Sequence, residues 1–469
     1  MFKHCHILLH CILAASFTTL YAQPAYKPSY QQLKKYEGTY EYINHTTLQI
    51  AASPKDTLLY AIIGEARYPL FPHQKDVFLN GSKQKVTFQY TNNTLTGYTV
   101  ANGQRDSLYR LLTRKVSFSN KMWFAKGNGT QPFTYQYQIP PNRHDGLIPG
   151  SLYRSGLDTS NIHLLMNRIV NNTYPDIHSV LLVKDGKLIL EEYFYEYDES
   201  TLHQLRSATK SFASAIIGLA IDKKLIADVH QKVLPYFPEY QLQHVDNVKK
   251  DISIYHLLTQ QSGLACDDRN DNSPGNETKM YPANDWVQYI LDLPMIDTPG
   301  KAGRYCSGNT MITDRIAEKV SGQSLARFAQ ENLFTPLGIT HFQWPFVPDK
   351  THQESFGQLY LRPRDMAKFG LLYLNNGIWN GRQVISSEWV QQSLTRHSVV
   401  DGMDYGYFWW LEPLTVKGRT YQGMAAKGNG GQRIFIWPEI HMVAVVTAGS
   451  YNQQSAANRL LMECVLSAL

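Results

Sequence analysis

The run Phe212-Ala213-Ser214-Ala215-Ile216-Ile217-Gly218-Leu219-Ala220 is small or apolar at nearly every position. A helix without a polar face must be surrounded, so this run predicts a buried helix inside a substantial core. Immediately before it, in Leu205-Arg206-Ser207-Ala208-Thr209-Lys210-Ser211, a serine and a lysine stand three residues apart. With Ser207 in the first turn, Lys210 lies on the same face one turn later, and the two side chains can meet. A serine hydroxyl is a weak nucleophile until a neighbouring base takes its proton. A lysine serves as that base only where burial or nearby positive charge favours the neutral amine. The helix N-terminus adds backbone N–H groups and positive potential where an oxyanion would develop.

Ser-x-x-Lys alone is a weak signal, expected roughly twice by chance in a chain of this length. It recurs at Ser82-Lys83-Gln84-Lys85, after Asn80-Gly81 and before the alternating Val86-Thr87-Phe88-Gln89-Tyr90. That copy reads as a polar turn entering a strand.

The 469 residues allow two or three domains. A formal charge of +6, spread along the chain without a long Lys/Arg run, argues against nucleic-acid binding. Met1-Phe2-Lys3-His4 is basic, residues 7–20 are largely apolar, and Leu20-Tyr21-Ala22 resembles a small-residue cleavage site. Residues 1–22 are therefore expected to be an export signal rather than a membrane span. Cys266, Cys306 and Cys464 would remain after cleavage, an odd number with no Cys-x-x-Cys spacing. This argues against a zinc site or a disulfide framework and leaves room for one disulfide in an oxidising compartment.

Short strand candidates at 36–40, 47–50, 58–62, 77–79, 86–90 and 95–100, separated by Asn-Gly and Asn-Asn turns, predict a small barrel or antiparallel sheet over 23–114. Gly127-Asn128-Gly129 and Pro140-Pro141 mark a connector over 115–150. Within 151–469, residues 179–194 read as a hairpin turning at Asp185-Gly186. There is no Gly-x-Ser-x-Gly elbow. His256, in a short helix, reads as a packing residue. Two further stretches stand out. Pro299-Gly300-Lys301-Ala302-Gly303-Arg304-Tyr305-Cys306-Ser307 is a loop leading into a helix, and its tyrosine could relay a proton opposite Lys210. Ala426-Lys427-Gly428-Asn429-Gly430-Gly431-Gln432 opens a strand where glycines allow close backbone approach to a ligand.

Ser-x-x-Lys, then Tyr-x-Ser, then a lysine- and glycine-rich strand resembles the exported serine β-lactamase and penicillin-binding-protein superfamily. The likeness is to its class C-like branch of esterases, D-amino-acid peptidases and nylon-oligomer hydrolases. It runs from about Gly150 to the C-terminus and includes Leu257–Leu264, Pro363–Gly370, Tyr405–Trp410 and Gly430-Gly431-Gln432. The preceding strands resemble the small lipocalin-like domains that accompany some of these hydrolases. The resemblance implies an α+β fold: an antiparallel sheet flanked by helices, a mostly helical subdomain, and a site between them. It implies Ser207 as acylated nucleophile, Lys210 as base and Tyr305 as proton-transfer partner. The oxyanion hole would use the Ser207 N–H and one from residues 427–432, with Asn429 preferred and Gln432 as the alternative. Ser307 stands where β-lactamases usually carry asparagine, and Lys427-Gly428-Asn429 replaces Lys-Thr-Gly; both weaken a β-lactamase assignment. No metal or organic cofactor is implied. The expected partner is a small-molecule or peptide-like ester or amide, with no nucleic acid and no stable membrane span; the oligomeric state is open. The alternatives are a D-Ala-D-Ala-type peptidase or β-lactamase, and a non-catalytic binding protein on the same fold.

Overall fold

The computed structural model describes residues 26–43, 46–101, 107–127, 133–346 and 357–469; the expected export signal at 1–22 lies outside them. Eight strands close into a barrel: β1 (Gly38–Glu41), β2 (Thr47–Ala52), β3 (Leu59–Ile63), β4 (Ala66–Gln74), β5 (Val77–Leu79), β6 (Lys85–Thr91), β7 (Thr94–Val100) and β8 (Ser107–Thr113). Thr39 of β1 opposite Thr113 of β8 closes the ring, which removes the free sheet edges. Tyr36, Tyr40, Phe78, Phe88 and Tyr98 form an aromatic cluster inside. The sequence does not announce β4, because Pro69 and Pro72 read as strand breakers. The register slips between Pro72 and Gln74, an irregularity that accommodates the missing donor. The second Ser-x-x-Lys sits in the β5–β6 turn, where Asn80 Oδ1 accepts from the amides of Ser82 and Gln84.

The connector is packed rather than loose. Met122 and Trp123 pack with Ala51, while Tyr135 and Leu147 join the main core.

The larger region is built on a nine-stranded sheet. Its strands are β9 (Ile148–Pro149), β10 (Ile177–Lys184), β11 (Lys187–Tyr193), β12 (Ser398–Val400), β13 (Met403–Tyr405), β14 (Trp410–Val416), β15 (Arg419–Gly428), β16 (Gln432–Trp437) and β17 (Met442–Ala448). The spatial order is β12-β13-β14-β15-β16-β17-β10-β11-β9, antiparallel except for the short β9–β11 edge. Asp185 and Gly186 carry φ of 50° and 74°, the two positive values a type I′ hairpin requires. Strand β17 is buried along its whole length and joins the early hairpin to the late strands.

The longer helices are α1 (Thr159–Val170), α2 (Thr209–Asp222), α3 (Ser307–Ser321) and α4 (Pro363–Leu374), of which α3 packs on α2 and on the short helices Ile254–Leu258, Trp286–Leu291 and Leu325–Ala329. Helix α4 lies on β10, β16 and β17, with Gly370 so close to Val443 that an added Cβ would sit 2.5 Å from its side chain. Helix α2 is the buried helix the sequence predicts: twelve consecutive residues, Thr209 to Ala220, are inaccessible. It packs on α3, and Phe212 stacks on Phe369 of α4 at 3.7 Å. Phe212→Ala is expected to cost about 3–5 kcal/mol in urea unfolding, because the surrounding helices cannot collapse into the space.

The barrel docks through its β3–β4 turn. The Glu65 carboxylate accepts from the Gln204 amide at 3.3 Å, faces His203 Nδ1 at 3.3 Å and accepts from the Tyr451 hydroxyl. Arg67 reaches Asp176 at 3.3 Å and the Met122 carbonyl. Among the described residues no helix is long and apolar enough to cross a membrane.

Candidate active site

Ser207 sits in the 3₁₀ turn Arg206–Ala208 that leads directly into α2. Arg206 holds φ of 50°, a left-handed conformation that costs a non-glycine residue on the order of 1–3 kcal/mol. Neighbouring contacts fix the turn. The Arg206 guanidinium lies 4.8 Å from the centroid of the Tyr451 ring, and the Leu205 amide donates to the Leu359 carbonyl at 2.9 Å.

Lys210 Nζ donates to Ser207 Oγ at 3.2 Å and to Ser307 Oγ at 3.1 Å. Ser307 Oγ in turn donates to Glu277 Oε2 at 2.9 Å, and the Ser307 amide donates to Asp268 Oδ2 at 2.6 Å. Burial pushes the Lys210 ammonium down, but Tyr305, Glu277 and Asp268 together outweigh it, and the net shift is upward. Lys210 is therefore cationic at rest, so the condition for a lysine base requires a proton to leave first. The loop carrying Asp268 and Glu277 has no periodic pattern in the sequence. These two carboxylates come to the site only through tertiary packing.

Burial raises the Asp268 carboxyl to about 6, with Glu277 adding to the rise and Lys210 opposing it. A carboxyl raised on folding binds more protons folded than unfolded between its two pKa values. Its contribution to stability is therefore lost as pH climbs from about 4 to about 6. Asp268→Asn is expected to gain about 2–3 kcal/mol relative to wild type between about pH 4 and pH 7.5, read from urea midpoints.

Tyr305 is buried, and its ring stacks on Trp410 at 5.6 Å, with Lys210 Nζ 4.9 Å and the Arg269 guanidinium 4.8 Å from its centroid. The adjacent Cys306 forms a disulfide with Cys266, one of the three pairings open to the cysteines at 266, 306 and 464; Cys464 is free and buried. This bond ties the tyrosine loop to the segment that carries Asp268.

On the opposite side, the end of β15 presses on the nucleophile turn. A Cβ on Gly428 would lie 2.1 Å from the Leu205 carbonyl oxygen. Gly430 and Gly431 follow with φ of 90° and 104°. Ser207, Tyr305 and Asn429 all line one cleft of about 410 Å³, with Asp268, Glu277 and Lys427. Ser307 lies beneath it, against Lys210. Gln432 is fully buried, and its side-chain amide bonds both backbone groups of Ala448, at 2.7 Å and 3.2 Å. Its side chain therefore ties β16 to β17. His256 Nδ1 accepts from the Ser253 amide at 3.1 Å as a helix cap. No group of three or more His, Cys, Asp or Glu among the described residues is placed to hold a metal ion.

A family model described as Beta-lactamase matches residues 178–463, which include the nucleophile turn, the tyrosine loop and the glycine-rich strand. The chain belongs to the beta-lactamase family. It is 28% identical over 210 residues to a Salmonella agona protein with the provisional name D-alanyl-D-alanine carboxypeptidase, covering 40% of this chain and 48% of that protein. The chain spans roughly 37–48% of the length of the curated relatives it matches. Among solved structures, a family VIII carboxylesterase aligns with a TM-score of 0.54 at 18% identity, over 66% of this chain and 97% of that one. A Bacillus anthracis structure provisionally titled a 6-aminohexanoate-dimer hydrolase aligns with a TM-score of 0.52 at 22% identity, over 65% and 80%. At these identities the structural matches establish the fold over about two thirds of the chain and no more.

Proposed function

We propose that this beta-lactamase-family chain is an exported serine hydrolase that cleaves an ester or amide through an acyl-enzyme on Ser207. The observation that carries the reading is Lys210 Nζ 3.2 Å from Ser207 Oγ, at the head of a buried helix and the floor of a cleft. Lys210 first passes one proton to the Ser307 hydroxyl, which gives its own to the Glu277 carboxylate, along contacts of 3.1 Å and 2.9 Å. The neutral amine then takes the Ser207 proton as Oγ attacks the carbonyl carbon, and returns it to the leaving oxygen or nitrogen. The Ser207 amide and that of Asn429 receive the oxyanion. Water cleaves the acyl-enzyme by the reverse proton path, with Tyr305 beside Lys210 as the partner in both transfers.

The cleft favours an uncharged acyl group over the carboxylate-bearing substrate of a D-Ala-D-Ala-type peptidase. Its lining cations are already engaged: Arg269 with Asp401, Lys427 with Glu412, and Arg433 with Asn458 and two carbonyls. Export is supported by the basic–apolar N-terminal sequence and by the Cys266–Cys306 bond, since such bonds persist in oxidising compartments.

Intact mass after exposure to a fluorophosphonate tests the reading. One adduct is expected on the wild type and none on Ser207→Ala. An unmodified wild type would sink the acyl-enzyme and leave a non-catalytic binding protein as the better account.

A further inference from the structure

The barrel interior is divided. Its aromatic cluster fills part of the volume, but beside Tyr98 a cavity of about 680 Å³ remains, walled by Leu48, Ile50, Ala61, Ile63, Leu70 and Val86. No described residue lining it is charged. The volume falls within the ~300–1,000 Å³ of sites that enclose a small ligand. On the catalytic side its wall is formed by Asn452 and Gln453, and the same two residues line the Ser207 cleft. Asn452 links the two spaces. It donates to the barrel's Tyr68 hydroxyl at 3.3 Å, accepts from Asn429 Nδ2 at 2.7 Å, and donates its amide to Asn429 Oδ1 at 3.0 Å. The Glu65 contacts fix this end of the barrel against Tyr451, next along the chain.

We infer that the barrel cavity is a substrate subsite that takes an unbranched apolar chain attached to the scissile ester or amide. The inference rests on the acyl-enzyme reading and adds the substrate class: compounds with a medium-length alkyl or acyl arm. The wall carries no charge and is mostly apolar, with polar side chains including Tyr42, Tyr68, Asn80, Ser82, Asn452 and Gln453, so burial is the main thing it offers such an arm. The cavity and the nucleophile's cleft meet at Asn452 and Gln453, and on this inference one molecule reaches both past these two side chains. Binding energy gained in the barrel then appears at the reacting carbonyl, although no barrel residue touches it. Each methylene moved from water onto an apolar wall tightens binding by up to about fourfold, so a partly buried chain suffices for a large preference.

The test is a series of p-nitrophenyl esters from acetate to decanoate, with alkyl acetates from methyl to decyl as a second arm. In the wild type the decanoate-to-acetate ratio of kcat/KM is expected to exceed about thirtyfold in one arm. The arm that responds shows whether the acyl or the leaving group enters the barrel. Ala61→Phe and Val100→Phe, which fill the cavity from different strands, are expected to bring that ratio down to within about threefold of unity. Calorimetry of decanol against Ser207→Ala gives a readout independent of turnover and of barrel mutation, and one equivalent is expected. A flat series in both arms on a protein that takes the fluorophosphonate overturns the subsite and leaves the hydrolase standing. A chain-length preference that survives both fillings, or no decanol binding, also overturns it. Absence of the adduct overturns the hydrolase reading and this inference with it.

Discussion

Lys210→Met is expected to lower kcat/KM for any substrate of this protein by about 10³–10⁴, with folding retained. Methionine keeps the length of the stem that runs through the α2–α3 core but offers neither a proton acceptor for Ser207 nor a donor to Ser307. The loss alone would not say how Lys210 works, and Glu277→Gln supplies that. Glutamine still bonds the Ser307 hydroxyl, yet it cannot take a proton, so the path that neutralises Lys210 closes and kcat should fall by about 10². The Glu277 charge is also one of the groups that push the Lys210 ammonium up. Without it the lysine loses its proton more easily, so the alkaline rise of kcat/KM should move to lower pH even as the maximum falls. A purely structural role for Glu277 would lower activity without moving that limb. An unshifted profile in Glu277→Gln would remove the relay from the mechanism and leave Lys210 as a fixed cation.

The sequence made the local parts of this molecule legible, and packing supplied the rest. Helix α2 was readable because its apolar run has no polar face, and the Asp185-Gly186 turn because two positive φ values demand such residues. Ser207, Lys210 and Tyr305 could be named because their spacing and order carry chemistry. Strand β4 was not readable, since Pro69 and Pro72 contradict strand propensity and only closure of the barrel overrides them. Asp268 and Glu277 were invisible for another reason. Asp268 lies in an irregular loop and Glu277 opens the short helix Glu277–Met280 that follows it, and what places them beside Lys210 is the Ser307 bonding pattern and the Cys266–Cys306 bond, contacts that leave no local pattern. Gln432 could be read as a candidate backbone N–H donor, but nothing in the sequence signals that its side-chain amide bonds both backbone groups of Ala448 and so ties β16 to β17. Glu65 is more remote still: nothing in a barrel turn signals that its carboxylate meets Tyr451 beside the cleft.

Gly428→Ala is expected to lower kcat by about 10² or more with a smaller effect on KM, and to cost about 1–3 kcal/mol of stability. The substitution adds one methyl group at a residue without positive φ, so the backbone conformation itself permits alanine. The obstacle is space: the new Cβ would stand 2.1 Å from the Leu205 carbonyl oxygen and 3.1 Å from Arg206 Cβ, both in the segment that presents Ser207. Backbone occupies that space, so either the end of β15 or the nucleophile turn must retreat, by on the order of an ångström. Displacements of that size cost about a hundredfold when they separate a nucleophile from the donors that receive the oxyanion. The ground-state substrate, held by the remainder of the cleft, feels the change less, so the loss should fall on kcat. Gly418→Ala in the β14–β15 turn is the control. It carries φ of 80° with open space around it, so its penalty is backbone strain, read as stability with kcat retained. If Gly428→Ala keeps full kcat, the junction between β15 and the Ser207 turn is not where the oxyanion forms, and the second donor must come from outside residues 427–432.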